Sequence, residues 1–240
     1  MSLIWNLIFF ITALLYSSAG LGGASAYLAY LSLAHIDYNL IPIYALILSI
    51  ISTTISSMNW FKHVRKIVIP IILVSTPSAF VGGLLKISEK VFIIITSLVL
   101  ISIGILMLYP VEKKIRFKIF QNTSVILLFS SFFGFLGGMI GIGCGVFLVP
   151  LLYLTGKAKE KEAASAGTIF ILANSIFGLV GHLVKIKNIQ LDPIIQPAIS
   201  VALGAFTGSY IASNKLPSKL VKKIFGIIVI LIALILIARN

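Results

Sequence analysis

Apolar residues along this chain run in long, nearly uninterrupted blocks, and the polar positions gather in short stretches between them. The blocks fall at 3–34, 39–60, 67–85, 91–110, 122–154, 163–183, 193–213 and 221–238. Stretches such as 93–109 and 224–238 show no period-two alternation, which argues for helices and against the strands of a barrel. A helix needs about 20 apolar residues to cross about 30 Å of hydrocarbon, and most of the blocks have that length. Blocks 3–34 and 122–154 are too long, since at ~1.5 Å per residue each would approach ~50 Å. Both are interrupted by glycine: Gly20, Gly22 and Gly23 in one, Gly137, Gly138, Gly141, Gly143 and Gly145 in the other. The pattern predicts an all-α polytopic membrane protein with about 8–10 membrane segments.

Composition supports that class. The 240 residues are 59% hydrophobic and only 10% charged, with a mean hydropathy of +1.13; a soluble domain carries about 25% charged residues. The net charge of +13 raises the question of nucleic acid. The basic residues, however, sit in short loops between apolar blocks, as expected beside anionic lipid at the cytoplasmic face of a cell membrane, so nucleic acid is not expected as a partner. The single cysteine, Cys144, excludes an internal disulfide. The apolar stretch 3–15 followed by Ser17, Ser18 and Ala19 has some features of a signal peptide. No lysine or arginine precedes it and hydrophobicity resumes after Gly20, so it reads as part of the first membrane segment.

The order of the blocks repeats. Each over-long block is followed by three of ordinary length, and a basic loop at 113–121 separates the sets, giving a first membrane repeat at 1–112 and a second at 122–240. Gly20-Leu21-Gly22-Gly23-Ala24 aligns with Gly141-Ile142-Gly143-Cys144-Gly145, His63 with His182, and Ala79-Phe80-Val81-Gly82 with Ala205-Phe206-Thr207-Gly208. If each long block turned back at its glycines, fourteen basic residues would lie on one face, in loops 62–66, 113–118, 157–161 and 215–223. The other face would keep five: Lys86, Lys90, Lys185, Lys187 and Arg239. The positive-inside rule then places both termini outside and inverts the halves relative to each other. The expected architecture is two inverted repeats, each a glycine-broken helical hairpin plus three transmembrane helices.

The broken segments are the candidate site. Broken backbone at membrane depth is tolerated only inside protein or beside a wet cavity. A half-helix that starts there points unpaired N–H groups and the positive end of its dipole inward, which suits an anion. Candidate ligands are the backbone at Gly20, Gly22, Gly23, Gly141, Gly143, Cys144 and Gly145, with Ser25, Thr168 and Asn174 as side-chain donors. Close helix packing is the alternative reading of these glycines, and the expected one for Gly82, Gly83, Gly204 and Gly208. Ser49, Ser52 and Ser56 share one helix face, and Ser165, Thr168 and Ser175 form a similar stripe; they either line a polar path or bond back to their own helices. His63 and His182 are expected at interfacial segment ends. The acids Asp37, Glu89, Glu112, Glu160, Glu162 and Asp192 all lie in or near loops, so the site is neutral to positive.

Gly134-Phe135-Leu136-Gly137-Gly138-Met139-Ile140-Gly141-Ile142-Gly143-Cys144-Gly145, followed by Val149-Pro150-Leu151, resembles the signature of the TauE/SafE sulfite exporter family. The first half departs from that pattern, with Ala24 at the third core position and Ala29 in place of the proline. The resemblance implies a permease in the cell membrane for a small anion such as sulfite or an organosulfonate, with no catalytic residue, metal or cofactor. A homo-oligomer is compatible with it. The competing reading is a non-transporting scaffold or the membrane subunit of a larger complex. A Ser209–His182 protease pair has no motif around it, and no phosphate-binding Gly-x-x-x-x-Gly-Lys loop is present.

Overall fold

The computed structural model describes residues 3–34, 36–108, 122–186 and 189–214, with isolated positions from 227 to 238. The loops 113–121 and 215–223, most of block 221–238, and Lys187 and Arg239 of the charge count lie outside the described residues. Among those described there is no strand. The helices are α1 (Leu3–Ser18), α2 (Ala24–Leu33), α3 (Ile41–Trp60), α4 (Val68–Leu84), α5 (Glu89–Leu108), α6 (Thr123–Ile140), α7 (Gly145–Leu154), α8 (Glu160–Lys185) and α9 (Asp192–Asn214), with a 3-10 turn at Phe61–His63. Among the described residues four helices are long and apolar enough to cross a membrane, over Ile41–His63, Thr123–Ile140, Lys161–Lys185 and Asp192–Ala212. Ile4, Leu73, Leu128, Phe132, Leu203 and Phe206 stand exposed on the outer surface, as side chains facing lipid do.

Both over-long blocks are broken at their glycines and fold back. Phe9 of α1 stacks on Tyr27 of α2 with centroids 5.7 Å apart, Thr12 Oγ1 lies 3.1 Å from Tyr30 Oη, and Trp5 meets Tyr30 edge-on. Ser25 at the start of α2 meets Tyr16 near the end of α1, whereas Tyr30 near the end of α2 meets Trp5 near the start of α1, so the pair is an antiparallel hairpin. In the second half Phe133 stacks on Phe147 at 5.2 Å, and Leu148 and Leu152 join Ile126 in one cluster. The returning helices α2 and α7 have ten residues each, or ~15 Å, half the hydrocarbon thickness.

The two breaks share one local solution. Gly20 and Gly141 take left-handed backbone, φ +71° and +81°. The amide after each reaches back across the helix end, Leu21 to the Tyr16 carbonyl at 2.9 Å and Ile142 to the Gly137 carbonyl at 3.0 Å. This is the Schellman closure, which satisfies carbonyls that a helix end leaves free. Three residues on, Gly23 (φ +77°) and Cys144 (φ +45°) cap the returning helices in the same conformation. Cys144 is the non-glycine residue with positive φ among those described.

The halves interlock. A Cβ on Gly208 of α9 would strike the Leu14 carbonyl of α1, and one on Gly204 the Phe10 carbonyl. A Cβ on Gly82 of α4 would strike the Phe135 carbonyl of α6, and Gly134 and Gly138 press on the Ser75 and Ala79 carbonyls. Each hairpin therefore seats its first helix on a helix of the other half, backbone against backbone. At the centre α3 and α8 run antiparallel, joined by a Ser175–Ser49 hydroxyl bond of 3.3 Å. At one end, where α1, α3 and α9 finish and α8 begins, Trp60 packs with Ala164 and Ala212, and its indole N–H donates to the Ser17 carbonyl at 3.1 Å. At the other end α4, α6 and α8 finish and α3 begins.

Candidate functional site

The glycine breaks enter the bundle from opposite ends and meet at the middle of α8. Gly20 lies against Ala164, and the Thr168 hydroxyl bonds the Gly20 carbonyl at 3.0 Å, shared with the Ala164 carbonyl at 3.0 Å. Gly141 lies against Pro42 at the start of α3. Gly22 and Gly143, the next matched pair, both abut one side chain. Ile171 Cγ2 is 2.9 Å from where a Cβ on Gly22 would stand and closer still to that of Gly143. Gly145 also rests on Ile171, and a Cβ there would stand 3.0 Å from the Gly167 carbonyl. Ser49 approaches the Gly22 position from α3 at 2.9 Å.

The amino ends of α2 and α7 thus converge on one region from opposite sides. In α2 the first amides that bond within the helix are those of Ala26 and Tyr27, both to the Gly23 carbonyl at 3.0 Å. The amides ahead of them have no acceptor in their own helix. Two half-dipoles, each equivalent to about +0.5 charge, therefore point at the Ile171 region.

Hydroxyls surround it. Ser17 Oγ and Ser52 Oγ are 3.1 Å apart. Thr53 and Ser56 bond back to the Ser49 and Ser52 carbonyls. Tyr27 Oη is fully buried on the Ser52 side, yet closes no hydrogen bond of good geometry. Ser165 Oγ and Asn174 Oδ1 are buried without a hydrogen-bond partner. Such groups cost free energy unless something pairs with them, so they mark where a polar guest would be favoured.

All three expected side-chain donors already make a hydrogen bond within the protein. Ser25 donates to Tyr16 Oη at 3.3 Å, and Thr168 holds the Gly20 carbonyl. Asn174 uses its amide nitrogen on the Phe170 carbonyl at 2.9 Å. Ser209 and His182 lie at opposite ends of the bundle: Ser209 Oγ accepts from Asn59 Nδ2 at 2.9 Å, while His182 is only 5% exposed and bonds the Gly138 carbonyl at 2.8 Å. His182 is thus a packed helix tie and not an interfacial group. Sequence reasoning missed Tyr27 and Ile171. The spacing of Tyr27 and Tyr30 inside a glycine-broken segment was a usable signal for the former; an isoleucine in an apolar run carries none.

An apolar helical bundle into which paired half-helices descend from both ends is that of a multi-pass membrane transporter. The chain belongs to the sulfite exporter TauE/SafE family, whose description matches residues 6–236. It is similar to a probable membrane transporter protein of Sinorhizobium fredii, 27% identical over 180 residues, 72% of this chain and 73% of that one. It is also similar to a probable membrane transporter protein of Methanocaldococcus jannaschii, 27% identical over 122 residues, 49% of this chain and 45% of that one. No solved structure matches.

Proposed function

We propose that the protein carries small anions, sulfite or organosulfonates, and that the anion is held between the two glycine breaks by backbone N–H groups. The observation that carries this reading is the approach of Gly22 and Gly143 to the same Ile171 methyl. It brings the starts of two half-helices together at mid-bundle, where two positive dipole ends act in a dry setting. The acids among the described residues that stand nearest in sequence, Glu160 and Glu162, lie at the start of α8, away from Ile171. The backbone at Gly20, Gly22, Gly23, Gly141, Gly143, Cys144 and Gly145 is the proposed cradle, with Asn174 beside it. The halves are read as inverted repeats; the antiparallel run of α3 against α8, equivalent helices of the two halves, supports that reading.

The test is uptake of labelled sulfite and sulfoacetate into proteoliposomes, against sulfate, with and without a pH gradient. Saturable uptake of sulfite or a sulfonate is expected. Gly145→Val and Gly143→Val should reduce it at least tenfold in protein that still elutes as a folded species, because a branched side chain there meets Ile171 and blocks the ligand. Full activity in both folded variants would move the site elsewhere.

A further inference from the structure

A second polar feature lies outside the breaks. At the end where α3 begins and α4, α6 and α8 finish, a cavity of about 460 Å³ opens among Pro42, Lys86, Ile87, Met139, His182 and Lys185. That volume falls within the roughly 300–1,000 Å³ of small-ligand sites. Its inner wall includes Met139 and Pro42, and Pro42 is the residue against which the Gly141 turn rests. The cavity therefore abuts the second break.

Its charge is unbalanced. Lys86 and Lys185 both line it. Lys185 Nζ is steadied by the Leu85 carbonyl at 2.7 Å, and among the described residues neither ammonium has a carboxylate within 4.0 Å. Asp37, the acid in the cavity wall, is occupied locally: its Oδ1 accepts from the Asn39 amide and from Asn39 Nδ2, both at 2.9 Å. His182 is tied inward, and because a carbonyl only accepts, its Nε2 carries the hydrogen that bonds Gly138. Two ammoniums lining one cavity without a carboxylate partner give it a positive potential that favours an anion.

We infer that this cavity is a vestibule in which Lys86 and Lys185 capture a small dissolved oxyanion, of the sulfonate or sulfite class, before it reaches the glycine breaks. The inference rests on the anion reading above, but its charge chemistry can be measured without transport. The same ammoniums would attract an anionic lipid headgroup, the other source of that chemistry. The vestibule's depth beside Pro42 and Met139 favours the dissolved ion.

The experiment uses the full chain with Cys144→Ser and Ile87→Cys, in nanodiscs of phosphatidylcholine alone or with phosphatidylglycerol added. The new thiol is labelled with methanethiosulfonates bearing either a sulfonate or a trimethylammonium. The anionic reagent should react faster relative to the cationic one than it does with a free thiol. Lys86→Gln and Lys185→Gln should each lower that ratio roughly two- to fivefold. Methanesulfonate should protect the thiol in pure phosphatidylcholine. Equal relative rates, or a ratio indifferent to both lysines, would overturn the inference. So would protection by phosphatidylglycerol with none by methanesulfonate. Protection by methanesulfonate in protein that moves no anion would leave the vestibule standing and remove the transport reading; anion uptake with no charge preference at the thiol would do the reverse.

Discussion

At the scale of single residues, Ile171 is where both breaks close. Its methyl groups fill the space that side chains on Gly22, Gly143 or Gly145 would need. Ser49, the residue approaching from the antiparallel partner helix, offers a hydroxyl on the other side. The crossing between the half-helices is therefore apolar on one wall and polar on the other. Shortening Ile171 to alanine should widen it. We expect Ile171→Ala to lose about 2–4 kcal/mol of stability, the range for a buried large-to-small change, and to admit bulkier sulfonates that compete poorly with wild-type uptake. Competition by a series of alkyl sulfonates of rising length checks this, and an unchanged size preference would place the constriction elsewhere. Cys144 shows the opposite economy: a side chain sits in backbone that Gly23 occupies freely in the first half, at a local cost of about 1–2 kcal/mol.

At the scale of elements, what matters is how closely the helices approach. Gly82 and Gly208, matched in the two halves, each let a helix press on a backbone carbonyl that cannot swing aside. Gly82→Ala and Gly208→Ala should each cost about 1–3 kcal/mol by overpacking, seen as lower thermal unfolding temperatures in detergent and less monodisperse protein. Gly156→Ala is the comparison: nothing lies within 4 Å of its Cβ position, and only its φ of +71° is disturbed, so the loss should stay near ~1 kcal/mol. A Gly208→Ala protein as stable as wild type would refute the seam. The hairpins were legible in the sequence because block length and glycine clusters are local signals. The seams were legible in part, since Ala-Phe-x-Gly recurs, but the partner of each helix was not. Lys86 and Lys185 read as loop charges, about 100 residues apart; only the tertiary fold sets them around one cavity. Ser25 and Thr168 read as free donors because nothing in their neighbourhoods names Tyr16 or the Gly20 carbonyl as partners.

At the scale of the whole molecule, the question is which end faces the cytoplasm. The end bearing Trp60 carries Lys62, Arg65, Lys66, Lys157, Lys159 and Lys161, with Arg65 paired to Glu162 at 3.3 Å. The vestibule end carries Lys86, Lys90 and Lys185. The positive-inside rule would put the Trp60 end in the cytoplasm and open the vestibule outward. Single cysteines in a Cys144→Ser background, labelled from each side, should show loop 113–118 inside and both termini outside. A cytoplasmic carboxyl terminus would rule out the inverted arrangement. With the vestibule outside, the lysine pair would act on arriving external anions during uptake, or on departing ones during export.

The seam between α1 and α9 also sets a schedule for synthesis. Gly204 and Gly208 are made nearly 200 residues after Phe10 and Leu14, against which they press. At about 5–20 residues per second, the ribosome needs roughly 10–40 s to supply the second side of that seam. Through that interval the first hairpin has its internal aromatic contacts but not its outer partner, and Ser17 awaits Trp60 and Ser52. Helix α1 thus precedes α9 in synthesis yet waits for it to complete its packing. Until α9 is made, the face of α1 that Gly204 and Gly208 will cover has no helix against it.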